Sequence, residues 1–580
     1  MSSPTNGHAL EATVLSMTDT IVEPAERSGN PSFRSEVTAV NVNASPTSAS
    51  APPSLSSVDA EKGPHALPAV IPPQNAHRCL ILCFDGTGDQ FDADNSNIVQ
   101  LMSALKKDDR TKQMVYYQSG IGTYTSAKFA SPATSKLSLT LDTMIAWNLD
   151  THVMGGYEFL MQNYTANDRI CIFGFSRGAY IARSLAGMIH KVGLLPVDNH
   201  QQVPFAYRMY TRADATGWAQ SNAFKKAFSN DVNIDFVGVW DTVDSVGLIP
   251  KRLPFTTSNT IVRAFRHAVS LDERRAKFKA NLWNWPSDQE KKLGTHPKVP
   301  KPVRPKYGYT LPFTSLPTHF KTSSEGEADD EPEQAKFEKT YAKPRGKTDV
   351  LEVWFAGCHC DVGGGSVQND TRHSLARIPL RWMVRECFKA DTGIMFDTER
   401  LHELGLDPAT LYPFVLERPP PLPVGDHKIE RAPRTSLLSK AFSRRRRAPA
   451  PESEPASPVE KPTHGMEEEE ELRDALSPIY DQLACHRFWW ILELIPMNFR
   501  YQRRDDTWVT DFRANLGRAR KIPHQRPPDT PLDHPEYQDH KPAVGLKVHR
   551  SVAMRRAARD DRGRPYINRA HFHCEPEWVD

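Results

Sequence analysis

Five short, largely apolar runs divide this chain into a regular alternation. They lie at Cys79–Phe84, 114–117, 169–173, Ile234–Trp240 and 350–356. Each is of strand length and rich in Val, Ile, Leu, Phe and Cys, the composition of a strand buried on both faces. Between them the stretches 97–106, 141–164, 176–191, 262–278 and 374–389 carry apolar residues at helical spacing. The pattern predicts an α/β fold with a mostly parallel central sheet covered by helices on both faces. In such sheets ligands bind outside the carboxyl ends of the strands, so chemistry is sought there.

Gly174-Phe175-Ser176-Arg177-Gly178 stands at one of those ends, between the 169–173 run and the 176–191 helical stretch. Strand, Gly-x-Ser-x-Gly, helix is the nucleophile elbow of α/β-hydrolases, in which a tight turn exposes the serine hydroxyl. A serine needs a base and an acid to act at neutral pH, and this fold supplies them in the order Ser, Asp or Glu, His. Asp241 follows the Ile234–Trp240 run directly, and Asp244 competes with it. His359 follows the 350–356 run and precedes Gly363-Gly364-Gly365. The expected triad is therefore Ser176, Asp241 and His359, with His549 as the alternative base and His267 as a structural histidine. Oxyanion donors are expected from the Arg177 amide at the helix start. A second would come from Gly86 or Thr87 in Asp85-Gly86-Thr87-Gly88, after the first strand.

The segments "LCFDGTGDQFDADNSNIVQL", "GFSRGAYIARSLAGMI", "VGVWDTVDSVG", "HAVSLDERRAKF" and "VWFAGCHCDVGGG" resemble the successive motifs of domain family 2235. This is an α/β-hydrolase family of unknown function, here in a fungal-type form. That family is similar to the catalytic domain of bacterial type VI secretion phospholipase effectors. The resemblance spans about 78–389, and "WWILELIP" with "VHRSV" extends it to about 555. It implies Ser176 as nucleophile, Asp241 as acid, His359 as base and a lipid or phospholipid acyl ester as substrate. Two features depart from the family pattern: cysteines flanking His359, and a long insertion at 287–347.

Composition sets limits on how the 580 residues are organised. Residues 1–76 are rich in Ser, Thr, Pro and Ala and are expected to be a disordered tail, with no signal peptide. Residues 77–415 form the expected catalytic domain, with 287–347 as a charged insertion whose 307–313 part could serve a lid. Residues 416–471 are Pro-, Arg- and Glu-rich and are expected to be a disordered linker. Within it, Arg444–Arg447 reads as part of a solvated linker, with a nuclear-import signal or a patch for an anionic surface as the alternatives. Residues 472–560 are expected to be a helical part packed on the catalytic domain, and 561–580 a tail. The segment 196–230, with Phe205, Tyr207, Tyr210, Trp218 and Phe224, is the expected substrate cap.

A formal charge of +3 with both signs mixed gives no field for nucleic acid. Eight cysteines in so long a chain are not a disulfide scaffold, which favours a cytoplasmic protein. Cys358-His359-Cys360 lacks the second ligand pair of a zinc site, so neither metal nor cofactor is expected. Residues 488–496 are too short to span a bilayer, which takes about 20 apolar residues, but are a candidate for peripheral membrane contact. The remaining alternatives are a catalytically inactive hydrolase fold acting as a binding module and a phosphate loop at Gly86–Gly88. The phosphate loop lacks the Gly-Lys-Ser/Thr that grips phosphate.

Overall fold

A computed structural model describes residues 67–87, 89–120, 149–212, 214–243, 253–283, 348–432, 466–502, 508–522, 546–572 and 575–580. Its centre is an eight-stranded sheet. The strands are β1 (Cys79–Phe84), β2 (Gln113–Gln118), β3 (Arg169–Phe175), β4 (Ile234–Trp240), β5 (Val262–Ser270), β6 (Asp349–Phe355), β7 (Lys547–His549) and β8 (Glu577–Val579). They lie in the order β8-β7-β6-β5-β4-β3-β1-β2, and every neighbouring pair is parallel.

Alternate side chains of β1 explain its unbroken apolar run. Leu80, Leu82 and Phe84 enter one core with the helices α2 (Leu149–Asn163) and α3 (Arg177–Val192). Cys79, Ile81 and Cys83 enter the other, with α1 (Asn97–Ala104) and, further along the chain, α6 (Arg377–Lys389). A strand buried on both faces has no polar side to write into the sequence.

Several expectations are corrected. The 262–278 stretch is not a helix but the strand β5 followed by a short 3-10 turn at Ala276–Phe278. Its Arg and Ala content imitated a helix, while burial on both faces hid the period of two. Residues 472–560 are not purely helical: they hold a hairpin of Met497–Gln502 with Trp508–Arg513, and they supply β7. The 561–580 stretch is no free tail, because it contributes β8 to the main sheet. At the other end, Val70–Ile71 pairs antiparallel with Phe396–Asp397. The expected cap forms α4 (Val203–Thr211) and α5 (Ala215–Phe228). There Tyr210, Trp218 and Phe224 are buried, Tyr210 and Phe224 in the core beside α3, and Phe205 is the exposed one of the set. The 307–313 and 444–447 segments lie outside the described residues.

The acidic run expected in a solvated linker is instead a helix, α7 (Glu467–Leu476), laid on α6. Arg377, Arg381 and Arg385 recur every fourth residue of α6 and form one stripe. Asp474, with no exposed surface, pairs with Arg381 at 2.6 Å, and Glu467 pairs with Arg385 at 2.6 Å. Glu471 is held by Arg550 at 2.6 Å and by Arg418 at 3.0 Å. Burial pushes the Glu471 carboxyl up, but the surrounding guanidinium groups outweigh it and bring its pKa down to about 2. A depressed carboxyl contributes stability above its ordinary pKa of 4.5, and that contribution is lost as pH falls towards 2.

Buried pairs are costly to break singly, because the surviving charge is stranded. Asp474→Asn is expected to destabilise the protein by about 3–5 kcal/mol. The double variant Asp474→Leu/Arg381→Met should recover most of that loss, and urea unfolding midpoints would show both effects.

Candidate functional site

β3 runs straight into the turn at Ser176, whose backbone sits at φ 58°, ψ −119°. Positive φ in a non-glycine residue costs about 1–3 kcal/mol and persists only where the surroundings enforce it. Here the enforcement is visible. The Ser176 N–H donates to Trp240 O at 3.0 Å, and α3 begins at the next residue. A Cβ on Gly174 would lie 2.5 Å from Gly178 O, and one on Gly178 would lie 2.3 Å from Phe84 O. Both glycines of the motif are therefore required by close backbone packing, and the second brings α3 against the end of β1.

Asp241 directly follows β4 and is fully buried. His359 opens the short helix His359–Gly363 after β6. The Asp361 carboxylate ties this turn by accepting the N–H groups of Cys358 at 2.9 Å and Tyr480 at 3.0 Å. These strand ends bring the three expected residues together. His359 Nε2 lies 2.7 Å from Ser176 Oγ, and His359 Nδ1 lies 2.6 Å from Asp241 Oδ2. An ionised carboxylate only accepts, so Nδ1 carries the proton and Nε2 is free to accept from the serine hydroxyl.

Burial pushes the Asp241 carboxyl up, yet the Arg520 guanidinium and the His359 N–H hold it far below the usual carboxylate range. Burial lowers the pKa of His359, against the pull of Asp241, so its neutral form is favoured. The ring is packed between Phe175, at 4.7 Å, and Phe278, at 4.8 Å.

Four groups around this chain of hydrogen bonds were not anticipated from sequence. Arg520 grips Asp241 with both nitrogens of its fork, Nη1 to Oδ1 at 2.5 Å and Nη2 to Oδ2 at 2.9 Å. The Ser270 N–H donates to Asp241 Oδ1 at 2.8 Å. Glu273 accepts the His359 backbone N–H at 3.2 Å and is itself paired with Arg275 at 2.8 Å. Glu273 and Arg275 fall within the "LDERRAKF" motif, so the motif was a signal for them. Arg520 had none.

The C-terminal segment is fastened beside the site by Glu493, the residue that interrupts the 488–496 apolar run. Its buried carboxylate accepts from Ala276 N at 2.6 Å, Asn515 Nδ2 at 2.5 Å and Gly517 N at 2.9 Å. Trp489 packs on Phe278 at 5.6 Å. The opposite side of the same turn leaves Ile491, Leu494 and Ile495 exposed, with Phe512 and Leu516 also exposed.

The other candidates are placed as follows. The Gly86 N–H is engaged by the Asp85 carboxylate at 2.8 Å, which removes it as an oxyanion donor in this conformation. The Thr87 hydroxyl is buried with no hydrogen-bond partner among the described residues. The Arg177 N–H belongs to the first turn of α3, where amides lack intrahelical partners. His549 is not bonded to Ser176. It contacts Ser551 at 2.9 Å and stacks on Phe355, and burial brings its pKa down to about 3. His267 bonds Glu352 at 2.8 Å and accepts the Thr242 N–H at 3.1 Å, a structural link under the Asp241 turn. Asp244 lies outside the described residues. Among those residues no group of three or more His, Cys, Asp or Glu is arranged to hold a metal, and no helix is long and apolar enough to cross a membrane.

Residues 78–386 match the family described as "T6SS, Phospholipase effector Tle1-like, catalytic domain". The chain is 29% identical over 533 residues to Uncharacterized protein YEL023C of Saccharomyces cerevisiae, an alignment covering 77% of this chain and 76% of that one. Two solved structures are similar at 16% identity. One is an uncharacterized protein from Pseudomonas aeruginosa, with a TM-score of 0.26 over 55% of this chain and 46% of that one. The other is the Tle1 effector bound to the VgrG spike of the type VI secretion system. Its TM-score is 0.23, over 54% of this chain and 60% of that one.

The turn geometry makes one stability prediction. Gly174→Ala should cost about 1–3 kcal/mol, because its new methyl meets main chain rather than a movable side chain. A drop of several degrees in the thermal melt is the expected observation.

Proposed function

The chain belongs to the Tle1-like catalytic-domain family of type VI secretion phospholipase effectors, and from that premise we propose that it is a serine hydrolase of lipid acyl esters. The observation that carries this reading is the unbroken hydrogen-bonded series Asp241–His359–Ser176 at the carboxyl ends of three parallel strands of one sheet, β4, β6 and β3. In the proposed reaction Ser176 Oγ attacks the ester carbonyl carbon while its proton passes to His359 Nε2. Asp241 stabilises the imidazolium so formed. The oxyanion is received by the Arg177 N–H and by Thr87. Collapse of the tetrahedral intermediate breaks the bond to the alcohol, which leaves with the proton from His359. Water, activated by the same histidine, then releases the acid from the acyl-enzyme.

A lipid substrate is supported by what surrounds the site as well as by the family. The aromatic wall of Phe278 and Trp489 leads from His359 towards the exposed Ile491, Leu494 and Ile495. A surface turn that buries its carboxylate and exposes its aliphatic residues is suited to the edge of a membrane or micelle. Burying acyl chain gains roughly 0.8 kcal/mol per CH₂, so such a site favours long chains until it is full.

Ser176→Ala is expected to abolish ester hydrolysis by several orders of magnitude without unfolding the protein, and His359→Ala to cost about as much, since the two act as a unit. His549→Ala should keep most of its activity wherever the protein stays folded. Turnover of p-nitrophenyl esters by folded Ser176→Ala at the wild-type rate would refute Ser176 as the nucleophile, and no turnover by the folded wild type would favour an inactive binding module instead.

The substrate class has its own test. kcat/KM should rise from acetyl to at least octanoyl esters, and phospholipid vesicles should release fatty acid. Ile491→Asp/Leu494→Asp should lower vesicle hydrolysis at least several-fold and leave hydrolysis of a soluble butyryl ester unchanged. A clear preference for acetyl esters with no fatty acid release would remove the lipid substrate and leave the serine mechanism standing.

A further inference from the structure

Arg520 reaches the site from a segment far beyond the family-matched residues 78–386, and is 279 positions away from Asp241 in sequence. Its guanidinium is buried and held on three sides. Besides the two contacts to Asp241, Nη1 donates to Ser270 Oγ at 2.7 Å and Nε to Phe278 O at 3.0 Å. With so many fixed acceptors the fork has one orientation, and that orientation fixes the plane of the Asp241 carboxylate. The oxygen facing His359 Nδ1 is the same Oδ2 that Arg520 Nη2 holds.

We propose that Arg520 is a positioning residue of the hydrolytic site: its fork orients Asp241 towards His359, and its charge offsets that of Asp241, so the base stays neutral to lower pH. The inference rests on the serine hydrolase reading given above.

The charges facing His359 make the direction explicit. Asp241 comes from the end of β4, Glu273 and Arg275 from the segment after β5, and Arg520 from the C-terminal segment. His267 on β5 lies close to Asp241, and Lys279 lies close to Arg520 and Glu273. Cys358 and Cys360 flank the histidine, and burial keeps both thiols protonated. Two carboxylates and two guanidinium groups leave the inner ring balanced while the imidazole is neutral. Removing one guanidinium leaves an uncompensated negative charge, which favours a proton on the Asp241–His359 couple. The acid limb of reactivity should then move to higher pH.

The test measures the second-order rate of Ser176 labelling by a fluorophosphonate probe across pH 5–9 in the full chain, with thermal melts as the folding control. Arg520→Met should move the acid limb upward by roughly one pH unit or more. Arg520→Lys keeps the charge but loses the fork, so its limb should stay within a few tenths of a pH unit of wild type while its plateau falls roughly tenfold. A residue acting only in folding would lower the melt and leave the limb in place. An unmoved limb in folded Arg520→Met overturns the proposal. Should Arg520→Met fail to fold, Arg520→Lys decides: a lowered plateau supports the proposal, and a wild-type plateau overturns it. Failure of the wild type to label at any pH would overturn the serine hydrolase reading itself, and the role of Arg520 with it.

Discussion

A carboxylate sealed from water is the constraint on which this site turns. Asp241 has no exposed surface, and an ion taken out of water costs several kcal/mol unless its partners are close and well oriented. The chain meets that cost with a guanidinium fork, an imidazole N–H and a backbone N–H converging on two oxygens. Each partner is itself constrained. Arg520 is locked by Phe278 O and Ser270 Oγ, and its segment is stapled by Glu493. His359 is fixed from behind by Glu273, which in turn holds Arg275. The Ser–His–Asp series is thus one edge of a charge-balanced cluster drawn from five segments of sequence. A cluster of this kind is rigid because no member can move without stranding a buried charge.

The same physics recurs where α7 lies on α6. There too a run of carboxylates is buried only because a stripe of guanidinium groups meets it. Ion pairs of this kind add little net stability compared with apolar packing, but they discriminate strongly against misplaced alternatives. Sliding α7 by one residue would put Leu472 and Ala475 in the places where Glu471 and Asp474 meet their guanidinium groups. The charge pattern therefore fixes the register of the segment that follows, and that segment carries Glu493 and Arg520.

Legibility in the sequence followed locality. The Gly-x-Ser-x-Gly turn, the aspartate after β4 and the histidine after β6 could each be read from their own flanks, and the structure brings all three together. The parallel sheet was legible for β1 to β4 and β6, where buried runs stand between helical stretches. It failed at β5, because Arg263, Arg266 and His267 satisfy their charges through tertiary partners that a sequence window does not contain. It failed again at β7 and β8, three residues each, too short to rise above loop composition. Glu467–Glu471 looked like a solvated run because most such runs are. The countercharges were in view as Arg377, Arg381 and Arg385, yet only packing joins the two helices. Nothing near Arg520 distinguishes it from the other arginines around it.

The chain divides its labour along that same line between local and distant. Residues of β1, β3, β4 and β6 would supply attack, proton transfer and oxyanion binding, and all lie within the family-matched 78–386. The segment from 467 to 520 supplies no reacting atom, but it completes the charge balance and offers an apolar surface beside the aromatic wall. Both tasks pass through Glu493, which fastens the turn on one side and leaves Ile491 and Leu494 outward on the other. Any displacement of that turn at a lipid surface would be felt at Asn515 and Gly517, and Arg520 lies one helical turn's worth of residues further on. On the proposed reading, the bond from Arg520 to Asp241 is then the point at which contact with an interface would bear on the basicity of His359.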